Sequence, residues 1–375
     1  MLGYADRTGL SATSKASRRY LWTDAHAVCN FLGLYRAMEQ ADWLDLALAL
    51  VDQVHLSLGR HRADDRRSGW ISGLAEEEGR DHPTAGGLRI GKPLPERGPG
   101  ERYDDRLEWD RDGQYYHYLT KWMHALARVA TVSGDARYCR WAVELAQAAH
   151  AGFTLPDPAG GPERLAWKMS IDLSFPLVPS SGQHDPLDGY ITCHELRECA
   201  HRFGDAVPSG LDGEIAAVAA MLEGRYWQTD DPLGIGGLLF DLFRVAQIHA
   251  AVSRTVPDIL PSLARAAAES VAYYAAHAGT SKPADYRLAF RELGLSIGLH
   301  GVPIVKRALS ELAGSLPDSV RNSVTLLERH AALAATIESF WCDPGNQRGY
   351  TWKDHEDINT VMLATSLLPD EFLAI

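Results

Sequence analysis

Residues 107–153 read LEWDRDGQYYHYLTKWMHALARVATVSGDARYCRWAVELAQAAHAGF. Three kinds of segment follow one another in this stretch. Acids and aromatics crowd its first twelve positions. A helix then spans Gly113–Val132, apolar on nearly every side. A second helix spans Ala136–Phe153, with Arg, Glu and Gln gathered on one face. A helix that is apolar all round is buried, and an amphipathic one covers it from outside. The stretch is a loop bearing chemistry, then a buried helix, then its cover.

The same pattern recurs outward in both directions. Buried-type helices begin at Asp24, Asp112, Asp188, Asp231, Arg291 and Asp354, and amphipathic ones alternate with them. Periodicity predicts helices over Asp24–Met38, Asp42–Gly59, Gly113–Val132, Ala136–Phe153, Gly189–Arg202 and Gly213–Leu222. It predicts further helices over Gly234–Ser253, Asp258–Ala278, Arg287–Leu299, Val302–Ala313, Asp318–Phe340 and Asp357–Leu368. Few segments alternate apolar and polar residues, so strands are not expected. Six buried and six covering helices in alternation describe an all-α (α/α)6 toroid. One domain over 1–375 is expected, with a lid-like loop at 60–111. Gly234, Gly236, Gly237, Gly294 and Gly298 lie within the buried helices, where glycine costs helix propensity. Close approach between helices is the expected reason for tolerating them.

Composition narrows the function. With 46% hydrophobic and 23% charged residues, the chain is neither disordered nor fibrous. Its formal charge of 37 − 49 = −12 makes nucleic acid and anionic membranes poor partners. Cys29, Cys139, Cys193, Cys199 and Cys342 are odd in number and follow no framework spacing, so reduced thiols are expected. The first residues lack the apolar core of a signal peptide, and no run of about 18 apolar residues occurs. A cytoplasmic location without a membrane span is expected. The oligomeric state stays open, a homo-oligomer included.

The acids at the helix starts have an ordinary use as caps for unpaired N–H groups. A ring of helices adds a second one, because all buried helices then start at one rim. The densest candidate is Glu108, Asp110 and Asp112, set among Trp109, Tyr115, Tyr116, His117 and Tyr118. Alternate acids followed by Gly113 resemble the start of a calcium loop, but the twelfth position is Leu119, so an EF-hand fails. Other rim segments offer Trp22 with Asp24; Trp167 with Lys168 and Asp172; His184 with Asp185 and Asp188; and Trp352 with Lys353, Asp354, His355 and Glu356. The loop at 60–111 contributes Trp70, Arg89, Lys92 and Arg97. Five of the six rim segments thus pair an aromatic with an acid. Aromatic faces stack on sugar rings, and carboxylates bond hydroxyls or act as acid and base.

The alternating helices with Trp- and acid-bearing loops resemble the six-hairpin glycosidase superfamily, over nearly the whole chain and without matching any one of its families. The resemblance implies an (α/α)6 barrel and glycoside hydrolysis, often with inversion by two carboxylates. Asp112 and Asp188 are the first candidates for that pair, with Glu108, Asp110, Asp24 and Glu356 in reserve. Trp22, Trp70, Trp109, Tyr116, Trp167 and Trp352 are the expected sugar platforms. Arg89, Lys92, Lys168, His117, His184 and His355 are the expected polar contacts to a small saccharide. A related barrel type, the N-acetylglucosamine 2-epimerase group, implies histidine acid–base chemistry, for which His117, His184, His300 and His355 are available. A sugar-binding toroid without catalysis is the third alternative. The lanthionine cyclases have a Cys-Cys-His zinc site, but their Cys-His-Gly is Cys193-His194-Glu195 here. No metal and no cofactor are expected.

Overall fold

The computed structural model describes residues 1–375 apart from 12–16, 158–159, 162, 208–209, 252–258, 278–281 and 312–316. The chain divides into an N-terminal unit, Leu2–Glu223, and a C-terminal unit, Gly224–Ile375.

In the N-terminal unit α1 (Leu2–Arg7) precedes the first pair, α2 (Leu21–Met38) and α3 (Ala41–Leu58). The long loop that follows contains α4 (Glu76–Asp81) and α5 (Asp105–Asp110). Then come β1 (Gln114–Tyr115), α6 (Tyr116–Ser133), α7 (Ala136–Phe153), β2 (Thr154–Leu155), β3 (Arg164–Leu165) and β4 (Lys168–Met169). The unit closes with α8 (Asp185–Phe203) and α9 (Asp212–Ala220). The two expected kinds of helix are visible in the burial. Every residue of α2 from Leu21 to Gly33 is buried, whereas α3 buries one stripe, Ala47, Leu50, Val51, Val54, His55 and Leu58. Helix α6 packs between α2 and α8, with α7 outside it. The α6–α7 turn follows from three residues. Gly134 takes the left-handed φ of 74° that ends α6, and the Asp135 side chain accepts from the Arg137 N–H at 2.9 Å to cap α7.

The C-terminal unit holds α10 (Pro232–Ala251), α11 (Leu260–His277), α12 (Ala289–His300), α13 (Val302–Glu311), α14 (Asp318–His330) and α15 (Leu333–Cys342). It ends with α16 (Tyr350–Lys353), α17 (Glu356–Leu367) and α18 (Asp370–Leu373). Helices α10 and α12 cross through glycines. A Cβ on Gly236 would lie 2.1 Å from the Gly294 carbonyl oxygen, and one on Gly298 would lie 2.8 Å from that of Gly236. The expected close approach therefore holds at Gly236, Gly294 and Gly298. It does not hold at Gly237, where a Cβ would meet nothing within 4 Å.

Three expectations change. The predicted helix Asp318–Phe340 is two, α14 and α15, broken at Ala331–Ala332. No Gly or Pro marks the break, so the periodicity ran through it. The helix expected from Gly113 begins at Tyr116 instead. Gly113 has φ 147°, and the Gln114 side chain is claimed by Leu88 N, Gly86 O and Ile171 O, which leaves 114–115 extended against β4. Short strands therefore occur where none was expected. The expected ends Ser253, Asp258, Ala278 and Ala313 lie outside the described residues. Among the described residues no helix is long and apolar enough to cross a membrane.

Candidate functional site

In the N-terminal unit the starts of α2, α6 and α8 lie side by side, and His117 stands among them in the first turn of α6. Pairing of β1 with β4 sets Tyr115 opposite Lys168, which brings Trp167 over the imidazole. The His117 and Trp167 rings are nearly parallel, 9° apart in plane with centroids 6.2 Å apart. Tyr118 at 4.9 Å, Tyr115 at 5.3 Å and Trp22 at 6.1 Å complete an aromatic ring around His117. Trp109 extends it edge-on against Trp167 at 5.7 Å, and the Tyr20 and Tyr118 hydroxyls are 2.6 Å apart. The His117 side chain keeps 27% of its surface exposed. Its Nδ1 makes no hydrogen bond and lies 3.7 Å from Asp185 Oδ1. Burial, reinforced by the Lys121 charge and opposed by Asp188, pushes this imidazole down to about 4. At neutral pH it is an uncharged proton acceptor.

The carboxylates fall into two groups. Asp185 and Asp188 occupy the first turn of α8, where the helix dipole favours negative charge. Asp188 Oδ2 accepts from Thr120 Oγ1 at 2.5 Å and Lys121 Nζ at 2.8 Å. The other group is enclosed by its partners. Asp112 is fully buried and accepts from Arg89, from Arg62 at 3.2 Å, and from the N–H groups of Gly91, Lys92 and Gly113. Glu108 is buried against Lys168 Nζ at 2.8 Å, with Arg97 at 3.6 Å. Asp24 is buried, accepting from Tyr4 and from Tyr20 N at 2.9 Å, with Arg19 at 3.5 Å. Two cations and three N–H groups thus engage Asp112, which braces the long loop together with Arg89.

The remaining expected residues scatter. Lys168 is buried under the Tyr115 ring, where desolvation lowers its pKa despite Glu108. Lys92 donates to the Trp109 carbonyl, and Asp110 is exposed. His184 is half-buried at the α8 cap, accepting from Asp188 N at 2.9 Å. Tyr116 turns into the core against Phe153 and the α8 backbone at Gly189. Trp70 lies beneath Arg60, so tightly against Gly79 that a Cβ there would sit 2.2 Å from its ring. Neither Tyr116 nor Trp70 offers a face to a sugar, because both faces are occupied by the fold.

In the C-terminal unit the helix starts also meet, through pairs closed on themselves. Arg291 donates to Asp231 at 2.7 Å, and Phe290 N donates to Asn359 Oδ1 at 3.0 Å. Glu292 is clamped by Arg287 at 2.6 Å and by Trp341 Nε1 at 2.8 Å. Trp352 is buried on Trp341 with centroids 5.8 Å apart. His355 and Glu356 are exposed, His355 with its ring edge-on to Phe290. Among the described residues no group of three or more His, Cys, Asp or Glu is placed to hold a metal ion.

Sequence reading singled out His117 and Asp188 but passed over Lys121, and it gave Asp185 and Tyr118 no role. The signal was present as spacing. Lys121 follows His117 by four residues and Asp185 precedes Asp188 by three, so each pair shares a helix face.

No protein-family model matches the chain, and no curated protein matches it in sequence. Solved structures do resemble it in fold. One is cellobiose 2-epimerase from Spirochaeta thermophila DSM 6192, 14% identical, with a TM-score of 0.52 over 95% of this chain and 87% of that one. Another is a GH76 alpha-mannanase from Bacteroides thetaiotaomicron, 11% identical, with a TM-score of 0.55 over 99% of this chain and 94% of that one. The chain shares the all-α fold of these two structures.

Proposed function

We propose that the chain is a carbohydrate-active enzyme in which His117 transfers a proton on a sugar held by the surrounding aromatics. The observation that carries this reading is a half-open, uncharged imidazole ringed by Trp22, Tyr115, Tyr118 and Trp167, beside Asp185. The half-exposed Tyr118 and Trp167 and the exposed Trp109 suit the C–H faces of a pyranose, and Asp185 suits its hydroxyls. A neutral imidazole can take the proton from the carbon beside an open-chain sugar's carbonyl. If the enediol left behind turns its other face to the imidazolium before the proton returns, that carbon is inverted; if the proton returns to the former carbonyl carbon while the hydroxyl proton passes to the neighbouring oxygen, the sugar is isomerised. Epimerisation or isomerisation is therefore the first reading. It accords with a fold shared with a cellobiose 2-epimerase. Of the carboxylates expected to hydrolyse a glycoside, Asp112, Glu108, Asp24 and Asp188 are all buried in ion pairs.

Hydrolysis is the second reading. Asp185 and Asp188 favour it, being two carboxylates in the first turn of one helix beside His117, in a fold shared with an alpha-mannanase, although Asp188 is itself paired with Lys121. Purified protein offered free mono- and disaccharides and oligosaccharides separates the two. Interconversion of sugars of equal mass, reduced at least about 100-fold by His117→Asn, supports proton transfer. New reducing ends, lost in Asp188→Asn but kept in His117→Asn, replace it with hydrolysis. No change in any sugar sinks both.

A further inference from the structure

Helices α6 and α8 face each other through three tiers of paired polar groups. His117 faces Asp185 at 3.7 Å, Lys121 meets Asp188 at 2.8 Å, and His124 meets Glu195 at 2.6 Å. The α6 members are spaced four and three residues apart, so they line one helix face. The middle tier is nearly closed to solvent, with both side chains under 10% exposed. A cation so enclosed is weakly screened, and it lies one turn beneath the imidazole.

We propose that Lys121, braced by Asp188, is a positioning residue that holds the His117 imidazole in its proton-accepting form. The proposal rests on His117 being the proton-transfer group. A second positive charge on the ring would lie on the same helix face as a fixed ammonium, so protonation is opposed. Thr120 and Asp188 keep the ammonium in place, since Asp188 Oδ2 accepts from both side chains. The other charged and titratable groups around His117 are accounted for. From the α2 side come Tyr20, bonded to Tyr118, and Asp24, paired with Arg19; His26 is itself uncharged, pushed down to about 3 by burial. From the sheet come Tyr115 and Lys168, the latter paired with Glu108. From α8 come Asp185 and Asp188, and their negative charge works against the effect of Lys121.

The test is the histidine NMR titration of the full chain, with His117 assigned through His117→Asn. It needs no substrate, so it reads the proposal even if no sugar is turned over. Lys121→Met should move the His117 midpoint up by about one pH unit or more. Lys121→Gln, which keeps a donor to Asp188, should do the same if the methionine variant does not fold. Lys121→Arg, which keeps the charge, should leave the midpoint within about 0.3 unit of wild type, far less than a nearby charge exerts. A folded Lys121→Gln or Lys121→Met protein with an unmoved His117 midpoint overturns the proposal. So does an upward shift in Lys121→Arg equal to theirs.

Discussion

The two units use the starts of their buried helices differently. In the N-terminal unit the starts of α2, α6 and α8 present a half-open imidazole, two carboxylates and a ring of aromatics. In the C-terminal unit the starts of α10, α12 and α17 are tied to one another, Arg291 to Asp231 and Phe290 to Asn359, and α10 meets α12 through glycine backbones. The same helical architecture thus leaves an aromatic-lined, half-open imidazole in one unit and closes on itself by packing in the other. The acids show it most clearly. Asp112 and Asp231 read alike in the sequence, yet one is a buried brace and the other a half-exposed cap.

That contrast can be broken or sharpened by measurement. The largest effect is expected from Asp112→Ala, which leaves the buried Arg89 charge uncompensated and takes one of its two carboxylate partners from Arg62. Breaking such a pair costs about 3–5 kcal/mol, read by denaturant unfolding. A loss under about 1 kcal/mol, the worth of an exposed pair, would show that Asp112 is no brace.

Acid should act on the N-terminal unit next. His26 and His55 are fully buried and pushed down to about 3, so the folded chain refuses protons that the unfolded chain takes up below about 6.5. Stability should be whole above pH 6.5 and fall as pH drops toward 3. Each histidine contributes a slope of about 1.4 kcal/mol per pH unit in that window. Unfolding curves between pH 7 and 5 check this, and a flat profile there contradicts it.

In the C-terminal unit Gly236→Ala drives a Cβ into the Gly294 carbonyl and should cost about 1–3 kcal/mol despite alanine's better helix propensity. Gly237→Ala, with open space around it, should instead gain about 0.5–1 kcal/mol. Equal effects at the two positions would remove the packing explanation. The smallest loss is expected at Asp231→Ala. Its cap to Gly234 N and its pair with half-exposed Arg291 are together worth about 1–2 kcal/mol in the same unfolding assay.

Much of the fold was legible because burial and periodicity are written locally. Ala136–Phe153 was placed at both ends, since Asp135 is a good cap and the helix is amphipathic. The α14–α15 break was not, because alanines carry no stop signal. The candidate site was legible in part. His117, Trp22, Trp167 and Asp188 stand out in the sequence, and Asp112 stands beside Asp188 as a first candidate for catalysis. Its role depends on Arg89 and Arg62, which reach it from 23 and 50 residues away, and no local pattern records such pairings. Lys121 was hidden for the opposite reason. A lysine inside an apolar helix has meaning only once Asp188 is seen opposite it.

The central claim is that a proton is moved on a sugar at His117. Incubating the protein in heavy water with free aldoses and ketoses, and following the C2 proton by NMR, tests it most directly. The account predicts deuterium uptake at that carbon, at least about 100-fold slower in His117→Asn while Asp112→Asn, if folded, still exchanges. Uptake that persists undiminished in a folded His117→Asn protein, or no uptake with any sugar, would contradict it.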